Sequence, residues 1–179
     1  MIDRYSREEM AKIWDLNSKF DYYLQVELAV CDAYAELGTI PKDAAKQIRE
    51  KASFTVERID EIEREVRHDV IAFLTCVNES LGDLGRFVHV GMTSSDVIDT
   101  AFALQIQDSG KIIKADLTKT IQTLKNLAKA HKDTVCIGRS HGIHAEIMTF
   151  GAKMCSWIDI LSRQKDNFEH VSYTHLTLP

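Results

Sequence analysis

Apolar residues recur at steps of three and four along most of this chain. The longest such stripe runs Ile98, Phe102, Ile106, Gly110, Ile113, Leu117, Ile121, Leu124, Ala128. That spacing predicts one helix from about Asp96 to Lys132, with no proline inside it. Thr93, followed three residues later by Asp96, marks its start, because a threonine oxygen there can accept an orphan backbone N–H. A helix of that span is a rod of roughly 55 Å, against about 40 Å for the diameter of a compact chain this size. Such a rod cannot bury its stripe against its own chain alone and calls for other long helices. The competing reading is a break at Asp108-Ser109-Gly110. Gly110 falls on the stripe itself, where close helix–helix approach uses a glycine and a break does not need one.

The same periodicity predicts shorter helices upstream. Ser6 with Glu9 reads as a capping box for a helix through Ala11, Ile13 and Trp14. Asn17 opens a longer one with Phe20, Leu24, Leu28 and Cys31 on one face, ending before Gly38. Pro41 sits in the first turn of a third, which runs to about Lys51. Thr55 caps a charged fourth, through Glu65, and an apolar fifth runs from Val70 to Leu81, where Gly82 stops it. Downstream, Thr134 to Gly138 is the one extended stretch, followed by a loop from Arg139 to His144 and a helix from Glu146 to about Phe168. Val171 to Pro179 turns β-branched and aromatic, either as an edge strand or as sequence foreign to the rest. The expected class is all-α, with a small N-terminal helical domain over residues 1–110, the beginning of a long-helix bundle over 111–170, and a tail over 171–179.

Composition narrows the partners. The apolar fraction is 45%, and only two prolines and eight glycines interrupt it, which suits long unbroken elements. A net charge of −5 disfavours nucleic acid or an anionic membrane as a bulk partner, so an anionic ligand has to be held by a few aimed groups. Cys31, Cys76, Cys136 and Cys155 are irregularly spaced, as reduced core residues are. With no cationic apolar leader and no run of membrane-spanning length, a soluble cytoplasmic protein is expected.

Polar clusters fall at predicted helix ends and loops, where a scaffold exposes working groups. They are Arg4-Tyr5; Arg67-His68-Asp69; His89 with Thr93-Ser94-Ser95-Asp96; and Ser140-His141 with His144. Taken singly, each has an ordinary structural explanation: a surface pair, a cap, a solvated loop histidine. His141-x-x-His144 presents two imidazoles but no third ligand, and the helical zinc spacing H-E-x-x-H is absent, so no metal is expected. Ser140 lacks a G-x-S-x-G turn. Together the clusters suit a substrate with several anionic groups and a step that moves protons. Hydroxyls and N–H groups at a helix N-terminus hold carboxylate or phosphate, arginine binds the same groups, and histidine transfers protons near neutral pH.

Four stretches in order, MIDRYSREEMAKIW from Met1, RHDVIAF from Arg67, HVGMTSSDVIDT from His89 and GRSHGIHAE from Gly138, resemble the adenylosuccinate lyase branch of the fumarase/aspartase superfamily. Argininosuccinate lyases carry an R-S-R-N-D type turn where this chain has TSSD, and fumarases and aspartases an S-S-N-D type. The resemblance implies a homotetramer built on a twenty-helix bundle, with active sites assembled from three subunits and no metal or organic cofactor. It implies release of fumarate from adenylosuccinate, leaving AMP, and from the succinyl-carboxamide purine intermediate SAICAR, leaving AICAR. By the same resemblance His141 is the general acid and His68 its partner histidine. Arg4, Tyr5, Arg67 and Asp69 are nucleotide-binding residues, and Thr93, Ser94 and Ser140 hold the succinyl portion. His89 lies near the phosphate.

The chain also departs from that family. The serine base belongs to a G-S-S-x-M-P-x-K-x-N-P run that is absent here, as are the glutamine and late arginines that complete the pocket. Ile147-Met148 stands where Pro-Thr is usual. The expectation is an N-terminal portion, inactive by itself, closed by a tail unlike the family. The alternatives are a non-catalytic helical oligomerisation fragment and another fumarate-releasing lyase of the same superfamily.

Overall fold

Ser6 does not cap the first helix. In the computed structural model, which describes residues 2–176, a 3-10 turn over Asp3–Tyr5 presents the Ile2 carbonyl, and the Ser6 hydroxyl donates to it at 3.2 Å. Helix α1 (Glu8–Ile13) therefore starts after Arg7 without a side-chain cap. The next start is also displaced from the expected Asn17. Asp15 caps α2 (Leu16–Glu36), its Oδ1 accepting the Ser18 N–H at 2.7 Å. A carboxylate at a helix N-terminus also meets the positive end of the helix dipole.

The following starts and stops lie where the sequence puts them. Pro41 directly precedes α3 (Lys42–Lys51). Thr55 Oγ1 accepts the Arg58 N–H at 3.3 Å and caps α4 (Val56–Val66). Helix α5 (Asp69–Leu81) ends at Gly82, whose φ of 56° a side chain would resist. Arg58 fastens α4 to α5 with two nitrogens on the Glu79 carboxylate, at 3.0 and 2.7 Å.

The chain divides into two compact units, Met1–Ile106 and Gln107–Pro179, and the division falls inside α6 (Ser94–Ala130), which is continuous through Asp108-Ser109-Gly110. The core of the first unit centres on Phe73. It stacks on Phe20 with rings 5.7 Å apart and meets Tyr23 and Phe54 edge-on. Each such aromatic pair adds about 0.5–1.5 kcal/mol beyond the area it buries. In this unit the most deeply buried line of α6 is Val97, Ala101 and Gln105, one residue away from the expected Ile98 and Phe102. The reason is that small Ala101 lets the helix approach closely and Gln105 ties it down, donating to the Ile13 carbonyl at 2.9 Å. Phe102 stays half exposed, edge-on to Trp14.

In the second unit the extended stretch expected over 134–138 is one arm of a hairpin. Strands β1 (Val135–Ser140) and β2 (Ile143–Thr149) form an antiparallel hairpin, with Val135 opposite Thr149, Ile137 opposite Ile147 and Ser140 opposite Ile143, and an irregularity between Gly138 and Arg139. Residues 146–149, read as the start of a helix, belong to β2. An isolated β1 would leave a row of unpaired N–H and C=O groups, and satisfying them outweighs the modest helix propensity of Ala, Glu and Met. Helix α7 (Phe150–Leu176) starts where Thr149 Oγ1 accepts the Ala152 N–H at 3.1 Å. It packs on α6 at two glycines: a Cβ on Gly110 would lie 3.3 Å from the Phe168 ring, and one on Gly151 would lie 2.5 Å from the Ala128 carbonyl. Residues 171–176 continue α7, so an edge strand there is overturned; residues 177–179 lie outside the described residues. No described helix is long and apolar enough to cross a membrane.

Candidate active site

The turn that leads into α6 takes its shape from α2. Glu27, Cys31 and Tyr34 follow one another at i, i+4 and i+7, so they share one face of α2. That face meets every second residue of the segment opposite. Cys31 Sγ–H donates to the Phe87 carbonyl at 3.6 Å. The Glu27 carboxylate takes the His89 backbone N–H at 3.0 Å on Oε2 and the ring Nδ1 at 2.6 Å on Oε1. Tyr34 sits so close to Gly91 that a Cβ there would be 2.8 Å from the hydroxyl.

Glu27 is the one fully buried carboxylate among the described residues, 1% exposed in the middle of the core. Burial pushes its carboxyl above the usual carboxylate range, and the bonds from His89 pull it back. Burial also pushes the Cys31 thiol up to about 11, with the charge of Glu27 adding to the effect. His89 itself is held at φ 64°, a left-handed conformation that costs a residue with a Cβ roughly 1–2 kcal/mol. Glu27 escaped the sequence reading. The signal was there: a single charge between Tyr23 and Cys31 on an otherwise apolar line.

After the turn, Thr93 and Asp96 cap α6 in the reverse sense to the one expected. The Thr93 backbone N–H donates to Asp96 Oδ2 at 2.8 Å, the returning half of a capping box. Thr93 is exposed and Ser94 half-buried.

Arg67, His68 and Asp69 form the junction between α4 and α5. Arg67 closes α4 in a left-handed conformation, φ 54°, with its N–H on the Glu63 carbonyl at 2.8 Å. His68 is the N-cap of α5: its Nδ1 accepts the Ile71 N–H at 3.4 Å, which puts the proton of a neutral ring on Nε2. The Asp69 carboxylate lies 3.5 Å from the same Nδ1 and accepts the Val70 N–H at 2.8 Å. Both side chains remain partly open to solvent. Asp69 lines a cleft of about 390 Å³ with Trp14, Lys19, Tyr23, Asp99 and Phe102. There the buried Tyr23 phenol is pushed up to about 12, by burial first and by the Asp69 charge second. Tyr23 and Glu27 are one turn apart on α2, so this one helix supports both the Asp69 and the His89 clusters. Arg67 lines a separate open groove with Asp60, Glu63 and Arg64. Arg4 stacks its guanidinium over Tyr5, 4.8 Å from the ring centroid, with both residues exposed.

In the second unit, Ser140 ends β1 and Ile143 begins β2, so His141-Gly142 is a two-residue hairpin turn. Its φ values, 54° at His141 and 78° at Gly142, are both positive, as a type I′ turn requires. His141 therefore stands at the tip of the hairpin, exposed, with its backbone held by the strands on either side. His144 lies opposite Arg139 in the ladder. Among the described residues no three His, Cys, Asp or Glu side chains converge to hold a metal ion.

Residues 3–179 match a protein family described as lyase. Curated relatives named adenylosuccinate lyase include one from Synechocystis sp., 52% identical over 172 residues, which covers 96% of this chain and 40% of that protein. Another, from Aquifex aeolicus, is 50% identical over 169 residues, covering 93% of this chain and 39% of its own length. The chain thus spans about 40% of the length of the curated relatives it matches. Among solved structures, a fumarate lyase from Mesorhizobium sp. superposes with a TM-score of 0.87 at 30% identity, over 94% of this chain and 41% of that one. A carboxy-muconate cycloisomerase from Acinetobacter calcoaceticus shares the fold, with a TM-score of 0.82 at 23% identity, over 93% of this chain and 41% of its own.

Proposed function

The chain belongs to the lyase family, and from that premise we propose that it is the N-terminal portion of an adenylosuccinate lyase. The observation that carries this reading is the agreement of relatives of that name at about half identity over nearly the whole chain. The reaction is a β-elimination. A base removes the proton from the carbon next to a succinyl carboxylate, the electron pair forms the carbon–carbon double bond of fumarate, and the C–N bond breaks as an acid protonates the departing nitrogen. The nitrogen stays with AMP, or with AICAR when SAICAR is the substrate.

His141 is the acid in this proposal. Its seat on a two-residue turn suits the task, because the strands fix the backbone and leave the imidazole accessible. His68 is its partner in the pocket. Thr93, Ser94 and Ser140 take the succinyl carboxylates, while Arg4, Tyr5, Arg67 and Asp69 bind the nucleotide and His89 lies near its phosphate. Neither metal nor organic cofactor enters. The base comes from sequence outside these residues, so the chain alone turns over no substrate. The full-length protein is a cytoplasmic homotetramer.

The test is to purify the full-length protein and this chain separately and follow AMP and fumarate from adenylosuccinate. Release by the full-length protein and none by the chain is expected. A full-length protein that leaves adenylosuccinate untouched while cleaving another fumarate-releasing substrate would overturn the proposal. Sedimentation of the full-length protein checks the tetramer.

A further inference from the structure

Glu27 does more for its surroundings than a core position asks. A buried carboxylate costs several kcal/mol in solvation, which an apolar side chain of similar volume avoids. Here both oxygens are spent on a single residue, the backbone N–H and the ring Nδ1 of His89. The two bonds fix different things. The first holds the left-handed backbone at φ 64°. The second fixes the rotation of the imidazole and occupies its Nδ1 edge, so Nε2 is the nitrogen left for any other partner. Cys31 and Tyr34 grip the residues on either side, so the ring cannot relax by sliding the segment.

The proton count follows from burial. The Glu27 carboxylate is 1% exposed against 20% for the His89 ring, so a charge left unneutralised on the carboxylate is penalised relative to a neutral pair. The neutral arrangements have one proton between Oε1 and Nδ1 and a second on Nε2. In both of them Nε2 is a donor.

We propose that Glu27 is the positioning residue of the His89 cluster: from inside the core it sets the ring's orientation and keeps Nε2–H presented as a hydrogen-bond donor to an anionic group of the substrate. This rests on the reading of His89 as a site residue, and the test separates the two ideas. In the full-length protein, Glu27→Gln, His89→Ala and the double variant are compared for kcat and KM with adenylosuccinate, with thermal unfolding as a check on folding. Glu27→Gln keeps an acceptor for the His89 backbone N–H but meets Nδ1 only with a neutral amide N–H, so the charge-assisted bond is lost. It is expected to raise KM about tenfold, the worth of one charge-assisted hydrogen bond, with kcat within about twofold. The double variant is expected to be no worse than His89→Ala alone.

Nitrogen-15 spectra of this chain, labelled at histidine, give a readout that simple loss of packing would not move. The His89 ring is expected to carry a proton on Nε2 and share one at Nδ1, and Glu27→Gln is expected to lose the latter. An unprotonated Nε2 in the unsubstituted chain overturns the proposal, whether or not the variant folds. So does a kinetically silent Glu27→Gln beside an impaired His89→Ala, or two effects that simply multiply. A silent His89→Ala instead removes His89 from the site and the proposal with it.

Discussion

Replacing Gly91 with alanine strains the turn into α6 in two separable ways. The backbone there has φ 73°, and a left-handed residue with a Cβ costs roughly 1–2 kcal/mol. The new Cβ would also lie 2.8 Å from the Tyr34 hydroxyl oxygen, whereas the next nearest atom, Tyr34 Cζ, is an ordinary 4.0 Å away. Relieving that overlap by shifting the tyrosine costs about 1 kcal/mol, the low end for overpacking. Gly91→Ala should therefore destabilise the first unit by about 2–3 kcal/mol in total. Adding Tyr34→Phe removes the clashing oxygen and leaves the φ cost, so it should return about 1 kcal/mol as a coupling energy. The chain has two tryptophans, Trp14 in the first unit and Trp157 in the second. In a Trp157→Phe background, urea unfolding followed by Trp14 fluorescence reports on the unit that contains the turn. Additive single and double variants would refute the steric half of the argument. A Gly91→Ala that costs less than about 0.5 kcal/mol, within the range of an ordinary surface change, would refute both halves.

Three further outcomes are expected. In the full-length protein His141→Asn, which tolerates the left-handed turn, should lower fumarate release by roughly 10²–10⁴-fold while sedimentation still finds the assembled protein. Tyr23 should ionise near pH 12 by phenolate absorbance, and Asp69→Asn should bring its midpoint down. Because the folded state holds this phenol neutral, the stability it supplies is complete below the ordinary phenol value near 10 and is lost as pH rises through about 12. Gly151→Ala sets a Cβ against the Ala128 carbonyl at 2.5 Å and Lys132 Cα at 2.9 Å. These are backbone atoms that cannot rotate aside, so about 3 kcal/mol should be lost from the second unit, read by Trp157 in a Trp14→Phe background.

What the sequence disclosed depended on the range of the forces involved. Thr55, Gly82 and the uninterrupted run of α6 were legible because caps, stops and periodicity are written within a few residues of where they act. Ser6 and Asn17 misled for a local reason: a competing acceptor at Ile2 and a better cap at Asp15 lay just upstream. Strand β2 was hidden because Ala145, Glu146 and Met148 favour helix, and pairing with the edge of β1 overrides them. The chemistry-bearing clusters could be named from the residues. Their support could not, since Glu27 acts on His89 across 62 positions and Tyr23 senses Asp69 from another helix.

The grip of Glu27, Cys31 and Tyr34 on residues 87–91 also bears on the order in which the protein assembles. The contacts that shape the turn close loops of about sixty residues, and closing them is worthwhile only once the helices between have condensed. The turn should thus be a late product of folding, and its amides should gain protection from hydrogen exchange after those of α4 and α5. The stretch from His89 to Asp96 is for the same reason not a portable cassette. Grafted into another helical protein or made as a peptide it would keep its sequence and lose its geometry, because the template for that geometry is the face of α2.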